Sequence, residues 1–245
     1  MMEPQDKHEQ AFIESALFNH GLESTEYRTH NVPWKKQYEI WRHGDGLISG
    51  SQSQQDPQVA VIQLQRAVEQ RDTILQALYR FTDIPYFPRC SQYVIMADLG
   101  IIRPALKKPL RALRNVIVHE VGDIAVDKSH CEYLFDTAWY YLKATDRLAQ
   151  QCASDLHVTC GEDDPHWTHL KMTFKPNSWT VNIVGDIPDR HLLSSKSPDC
   201  LSVKIATSHF EVYRGVSHFK FSGEITGSET LFRNLVQAFF EESVL

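Results

Sequence analysis

A short motif near the middle of the chain, Arg114-Asn115-Val116-Ile117-Val118-His119, combines two side chains that can act on a phosphodiester. A guanidinium binds phosphate through two parallel hydrogen bonds, and an imidazole can exchange a proton near neutral pH. On an α-helix, five residues correspond to a rotation of about 140°. Arg114 and His119 can therefore reach one pocket only if it wraps the helix, as at a bundle end or a two-fold interface. The motif predicts acid–base chemistry on a phosphate.

Basic residues accumulate around this motif, at Arg103, Lys107, Lys108, Arg111 and Arg114. No acidic residue lies between Leu99 and His119, although the whole chain has a formal charge of -6. A protein that is acidic overall binds nucleic acid only through a local basic patch. This stretch is therefore a candidate phosphate-binding surface.

Arg71 is a second candidate, because it lies on the apolar stripe of a predicted helix. A buried charge is costly unless it is paired or used. One interpretation brings Arg71 into the pocket of Arg114 and His119. In the other interpretation it reaches solvent or pairs with a neighbour such as Glu69 or Asp72.

Two further groups are open to more than one interpretation. Histidine and cysteine side chains are common zinc ligands, and four of them lie close in sequence at His157, Cys160, His166 and His169. Their spacing matches no zinc site that we can name, and no metal is predicted. A zinc-dependent hydrolase that uses this cluster is a third alternative. The aromatic run Trp139-Tyr140-Tyr141 could stack on bases, but on the last helix of a bundle we expect core or interface residues.

Composition excludes several classes of protein. The 245 residues are 42% hydrophobic and 23% charged, which is typical of a globular protein. Five cysteines without a Cys-x-x-Cys pair predict reduced thiols and neither a disulfide framework nor a four-thiolate zinc site. No apolar run is long enough to cross a membrane, and the first residues are polar. We expect a soluble, cytoplasmic protein without a membrane partner.

Three regions differ in their sequence pattern. Residues 1–56 form a polar extension with two short predicted helices, about 8–19 and 34–43. Gly44-Asp45-Gly46 follows, and then the run Ser49–Gln55, which is predicted to be an exposed linker. Residues 57–154 show helical periodicity that begins at Asp56-Pro57, and the helices are expected to pack as an up-down bundle. Residues 155–245 form a small α+β region that ends in a helix over about 228–242. Its predicted strands are Trp167–Phe174, Ser178–Val184, Leu201–Ala206, Phe210–Tyr213 and Ser217–Phe221.

A helical bundle with Arg-Asn-x-x-x-His in its third helix resembles the HEPN superfamily (higher eukaryote and prokaryote nucleotide-binding) over about residues 57–154. The resemblance implies a mainly α fold, a HEPN-like up-down four-helix bundle followed by the small α+β C-terminal region. It further implies a metal-independent endoribonuclease that needs no cofactor, such as a toxin or an anti-phage defence effector. In that case Arg114 and His119 are catalytic, and Asn115 is the supporting polar residue.

The resemblance also implies partners. RNA is the expected substrate, with Lys107, Lys108, Arg111 and Arg71 as its contacts, and cleavage would leave a 2′,3′-cyclic phosphate. We expect a homodimer that pairs through the third and fourth bundle helices, and an antitoxin or another regulatory protein as a further partner. The alternative is a non-catalytic HEPN-type dimer that binds a nucleotide or a protein. The role of the C-terminal region stays open.

Overall fold

The chain divides into two compact units, which we call the sheet unit and the helical unit. The sheet unit consists of residues 1–28 and 153–242, and the helical unit of residues 29–152 with 243–245. The computed structural model describes residues 9–20, 23–50, 56–87, 89–119, 128–160, 165–176, 178–197, 200–226 and 229–244. Within these residues no helix has both the length and the apolar character needed to cross a bilayer.

The described part of the helical unit contains five α-helices: α1 Lys36–Ser49, α2 Asp56–Tyr79, α3 Gln92–Asp98, α4 Lys107–His119 and α5 Lys128–Gln150. The start of α2 at Asp56 confirms the predicted signal, an aspartate followed by a first-turn proline. Leu64, Val68, Arg71 and Leu75 of α2 are buried at spacings of three and four. This stripe packs α2 against both α1 and α5.

An eight-stranded sheet dominates the other unit, with the order β2-β3-β4-β5-β8-β7-β1-β6. The strands are β1 Gln10–Glu14, β2 Glu23–Thr29, β3 Gln151–Cys160, β4 Thr168–Lys175, β5 Thr180–Pro188, β6 Leu192–Leu193, β7 Cys200–Tyr213 and β8 Val216–Ile225. Alternate residues of β4 are buried, as in a sheet with one covered face. Helix α6, Glu229–Val244, packs Phe239 and Phe240 against Phe174, and Phe240 also against Trp179.

The predicted mainly α fold, a four-helix bundle followed by a small α+β region, is wrong. The described residues contain a large antiparallel sheet, whose neighbouring strands pair by antiparallel ladders such as β4–β5 and β5–β8. Strand β3, Gln151–Cys160, follows α5 without a break, where the predicted helical region extended to residue 154. The segments predicted over Leu201–Ala206 and Phe210–Tyr213 are one strand, β7, with an irregularity in its register between Ile205 and Thr207.

The N-terminal helix predicted over about 8–19 is also wrong. This segment is the strand β1, with Ala11 and Ile13 buried, followed by a 3₁₀ turn over Ser15–His20. β1 is a strand because it pairs with Cys200–Lys204, which are distant in sequence. The local sequence pattern of this segment contains no information about such a distant partner.

The second predicted helix ends too early, because α1 continues past residue 43 through Gly44 and Gly46 to Ser49, the first residue of the predicted linker. The rest of the predicted linker, residues 51–55, lies outside the described residues. A Cβ on Gly44 would lie 2.8 Å from Phe135 Cζ and 3.1 Å from the Ala60 carbonyl oxygen. Gly44 therefore permits close approach of neighbouring elements and does not end the helix.

Candidate functional site

Helix α4 carries the predicted motif and is held by its apolar face. The turn Pro104–Leu106 leads directly into α4, whose first residue is Lys107. Leu110 and Leu113 are fully buried, and α4 packs against α2, α3 and α5. One face of the helix is therefore fixed inside the helical unit, whereas Lys108, Arg111 and Ala112 of its first turns are exposed.

The basic residues at the start of α4 lie at or near the surface. Lys108 and Arg111 are exposed. Arg111 Nη2 donates to Ser91 Oγ at 3.1 Å, and Lys107 Nζ lies 4.0 Å from Asp98 Oδ1. Both partners belong to or flank α3, so α3 orients two of the three cations without burying them.

Cys90 adjoins this basic surface. Burial raises the pKa of its thiol above the ordinary value, and the negative charge of Asp98 acts in the same direction. Arg111 and Lys107 act in the opposite direction. Cys90 therefore does not have the lowered thiol pKa that marks a nucleophilic cysteine.

The three motif residues belong to the last part of α4, and only their backbone positions are described. Asn115 and His119 follow Lys108 by seven and eleven residues, so helical geometry places all three positions within about 20° of one direction. By the same geometry the Arg114 position lies about 120° from that of Lys108 and about 40° from that of the buried Leu110. The backbone of α4 thus aligns two of the three motif positions with an exposed lysine.

Arg71 lies in the interior of the helical unit and is fully buried. Its Nη2 donates to Asp146 Oδ1 at 2.9 Å and to the Trp34 carbonyl oxygen at 3.1 Å. Its Nη1 donates to Thr145 Oγ1 at 3.1 Å and to the Leu142 carbonyl oxygen at 3.2 Å. This guanidinium links α2, α5 and the segment before α1, and it has no surface to offer a phosphate. The structure does not bring it together with the exposed cations of α4.

A cluster that the sequence analysis missed surrounds Asp72. The hydroxyls of Tyr141 and Tyr93 donate to its two carboxylate oxygens. Burial, followed by the charge of Asp72, raises the pKa of Tyr141 well above its ordinary value. Asp72 also lines a surface cavity of about 710 Å³ together with Glu69, Thr73, Gln76, Ala77, Arg80 and Gln92. No periodicity could have indicated the cluster, because its members come from three different helices.

The aromatic run on α5 divides among three environments. Tyr141 is buried, Trp139 packs beside Trp41 with ring centroids 4.8 Å apart, and Tyr140 is 64% exposed. Lys143 Nζ also lies 4.8 Å from the centroid of the Trp139 ring. The three rings therefore do not form one stacking platform, and Tyr140 is the most exposed of them.

Two of the candidate zinc ligands, His157 and His169, lie close together on neighbouring strands. The rings of His157 and His169, on β3 and β4, have centroids 5.8 Å apart. Cys160 ends β3, and its side chain lies outside the described part of the structure. Across the described part of the chain, no group of three or more His, Cys, Asp or Glu residues could hold a metal ion.

No protein-family model, no curated protein and no solved structure matches the chain.

Proposed function

We propose that this protein is a metal-independent endoribonuclease of the HEPN type whose catalytic residues lie on α4. The observation that carries the proposal is the position of the Arg-Asn-x-x-x-His motif on this helix. Asn115 and His119 share a helix direction with the exposed Lys108, and the opposite face is anchored by Leu110 and Leu113.

The proposed reaction uses the 2′-hydroxyl of RNA as the nucleophile. His119 accepts the proton of the 2′-hydroxyl, or donates one to the leaving 5′-oxygen. Arg114 binds the non-bridging phosphate oxygens and stabilises the negative charge that develops on them. Asn115 orients the substrate. The bond from phosphorus to the 5′-oxygen breaks, which leaves a 2′,3′-cyclic phosphate and a 5′-hydroxyl.

Lys107, Lys108 and Arg111 extend this surface toward the start of α4 and bind the RNA backbone. Two copies of the chain pair through α4 and α5. Arg114 and His119 are separated by about 140° around the axis of one helix. Pairing therefore lets residues from two copies of α4 reach one phosphate. The protein acts in the cytoplasm, as a toxin or a defence effector that an antitoxin or another regulatory protein controls.

The decisive experiment is cleavage of a mixed-sequence, single-stranded RNA in the presence of EDTA. We expect His119→Ala and Arg114→Ala each to lower the rate on the order of a hundredfold or more, because each removes a group that acts in the transition state. Asn115→Ala is expected to have a smaller effect. The matched controls are His43→Ala on α1 and Arg66→Ala on α2, two exposed positions on helices outside the proposed catalytic and pairing surfaces.

The products provide a second criterion. A cyclic phosphate end, and resistance of a substrate with 2′-deoxyribose at the cleavage site, would identify attack by the 2′-hydroxyl. Equal cleavage by the wild type, the motif variants and the controls would mean contamination and reject the assignment. If folded protein binds RNA or nucleotides without cleaving them, the non-catalytic binding module replaces the nuclease.

A further inference from the structure

Polar side chains line the surface cavity beside α2, which has a volume of about 710 Å³. Glu69, Thr73, Gln76 and Arg80 all belong to α2 and lie within about 60° of one direction on that helix. Gln92, the first residue of α3, lines the same cavity. The volume is in the usual range of sites that bind small molecules and cofactors. The cavity is therefore large enough for a nucleotide, and all of these residues belong to the helical unit.

Glu69 supplies the unused hydrogen-bond acceptors of this cavity. Its Oε1 accepts from Gln65 Nε2 at 2.8 Å, and no other described side chain donates to its carboxylate. The two oxygens of a carboxylate have about four lone-pair sites, so Glu69 can accept further hydrogen bonds. Glu69 is exposed and makes no ion pair with a described residue. By contrast, both carboxylate oxygens of Asp72 already accept from tyrosine hydroxyls.

Other polar groups of the lining complement this carboxylate. The side-chain amide of Gln92 makes no hydrogen bond with another described residue, so its N–H groups can donate to a ligand. Gln76 Oε1 is buried without a hydrogen-bond partner among the described residues. Arg80 Nη2 lies 2.8 Å from Asp83 Oδ2, and the Arg80 side chain is 59% exposed. The cavity therefore offers donors as well as acceptors, which suits a polar ligand better than an apolar one.

The cavity adjoins the basic surface of α4. Gln92 follows Ser91 in the chain, and Ser91 Oγ accepts from Arg111 Nη2 at 3.1 Å. Arg111 is one of the cations proposed above to bind the RNA backbone. A nucleotide whose phosphate lies at Arg111 can therefore place its base in the cavity. The carboxylate of Glu69 repels a phosphate, so the base is the part of RNA that suits this site.

Guanine is the base whose hydrogen-bonding edge fits Glu69. Its N1–H and its N2 amino group are adjacent donors, and together they can pair with the two oxygens of one carboxylate. Adenine, cytosine and uracil each have a single donor group on the corresponding edge. Guanine O6 is an acceptor next to N1–H, which matches the available N–H groups of Gln92.

We propose that this cavity binds a guanine base of the RNA substrate. Glu69 accepts from N1–H and from the N2 amino group, Gln92 donates to O6, and Arg80 attracts the next phosphate of the chain. The proposal rests on the function proposed above, since it assigns a base of the same RNA. It adds a preference for sequence, which the cations of α4 do not provide because phosphate contacts do not read bases.

The first test measures nucleotide binding without cleavage. Guanosine 5′-monophosphate and inosine 5′-monophosphate, which lacks only the N2 amino group, are titrated into the full chain by calorimetry. We expect the guanosine nucleotide to bind about tenfold more tightly, because hydrogen bonds to a charged acceptor contribute this much or more. Glu69→Gln should reduce the ratio of the two affinities to less than about threefold. Glu39→Gln, at an exposed glutamate of α1, is the matched control and should keep the wild-type ratio.

The outcomes separate this site from the nuclease. A ratio that is lost in Glu69→Gln and kept in Glu39→Gln supports the guanine site, even if the protein cleaves no RNA and the nuclease proposal fails. Equal affinity of the wild type for the two nucleotides, or no binding of either, overturns the guanine site. Cleavage of RNA that depends on His119 would then still support the nuclease.

The second test maps the cleavage positions in a mixed-sequence RNA. We expect the wild type to cut at a constant distance from guanines, and inosine in place of those guanines to lower cleavage about tenfold. Inosine should have little effect on the positions cut by Glu69→Gln. Cleavage that depends on His119 but bears no relation to guanine would overturn the guanine site alone.

Discussion

At the scale of single residues, Arg71 brings a permanent charge into the interior of the helical unit. Asp146 compensates it at 2.9 Å, and the Tyr38 hydroxyl donates to the other oxygen of that carboxylate at 2.6 Å. Burial, followed by the hydrogen bond to Asp146, raises the pKa of Tyr38 above its ordinary value. The three side chains come from α1, α2 and α5, so one charge holds three helices in register.

Removing one member of this buried ion pair should lower the free energy of unfolding far more than removing one member of an exposed ion pair. We expect Asp146→Ala to lower the free energy of unfolding by about 3 kcal/mol, because it leaves the Arg71 guanidinium buried without its counter-ion. Asp83→Ala is the control. It removes the exposed partner of Arg80, 2.8 Å away, and should cost less than about 1 kcal/mol. Urea unfolding measures both, and equal losses would contradict the structural role of Arg71.

The sequence could predict that Arg71 lies on the buried stripe of α2 but not which acid pairs with it. The neighbours considered were Glu69 and Asp72, yet the partner is Asp146, 75 residues away. Residues one or two positions apart on a helix point in different directions and do not meet. Asp72 instead accepts hydrogen bonds from two tyrosines. Long-range partners of this kind are fixed by packing, which local periodicity does not encode.

At the scale of elements, helices could be predicted better than strands, because a strand depends on partners that are distant in sequence. The predicted helices from Asp56 onward correspond to α2–α5, because a helix satisfies its own backbone and shows its buried face at regular spacing. β1, β2, β3 and β6 were missed, since a short segment such as Gln10–Glu14 becomes a strand only beside a partner. A strand that follows a helix without a turn, as β3 follows α5, gives no boundary signal.

The two glycines within α1 provide a prediction about packing. Gly44→Ala should lower the free energy of unfolding, because the new methyl group would meet Phe135 and the Ala60 carbonyl oxygen. Gly46→Ala, with nothing within 4 Å of its Cβ, should raise it by about 1 kcal/mol through helix propensity. Thermal or urea unfolding of both variants tests the opposite signs. Stabilisation by both would mean that α1 does not pack closely at Gly44.

At the scale of the whole molecule, the net charge of -6 opposes the approach of RNA, so binding must depend on a small number of cations. Lys107, Lys108, Arg111 and Arg114 are all on α4, with Lys108 and Arg111 exposed. Each phosphate contact to a single strand contributes about 0.7 to the slope of log affinity against log salt. Three or four such contacts predict a slope of about -2 to -3.

The salt dependence of binding distinguishes RNA binding at the basic residues of α4 from a response of RNA to the overall charge of the protein. In the His119→Ala background, which prevents cleavage, Lys108→Ala should reduce the slope by about 0.7 and weaken RNA binding at low salt. Lys196→Ala, an exposed lysine in the sheet unit, should change neither quantity. Fluorescence anisotropy of a labelled RNA at several salt concentrations measures both. Equal changes in the two variants would show that RNA responds to the overall charge of the protein, and α4 would lose its proposed role as the binding surface.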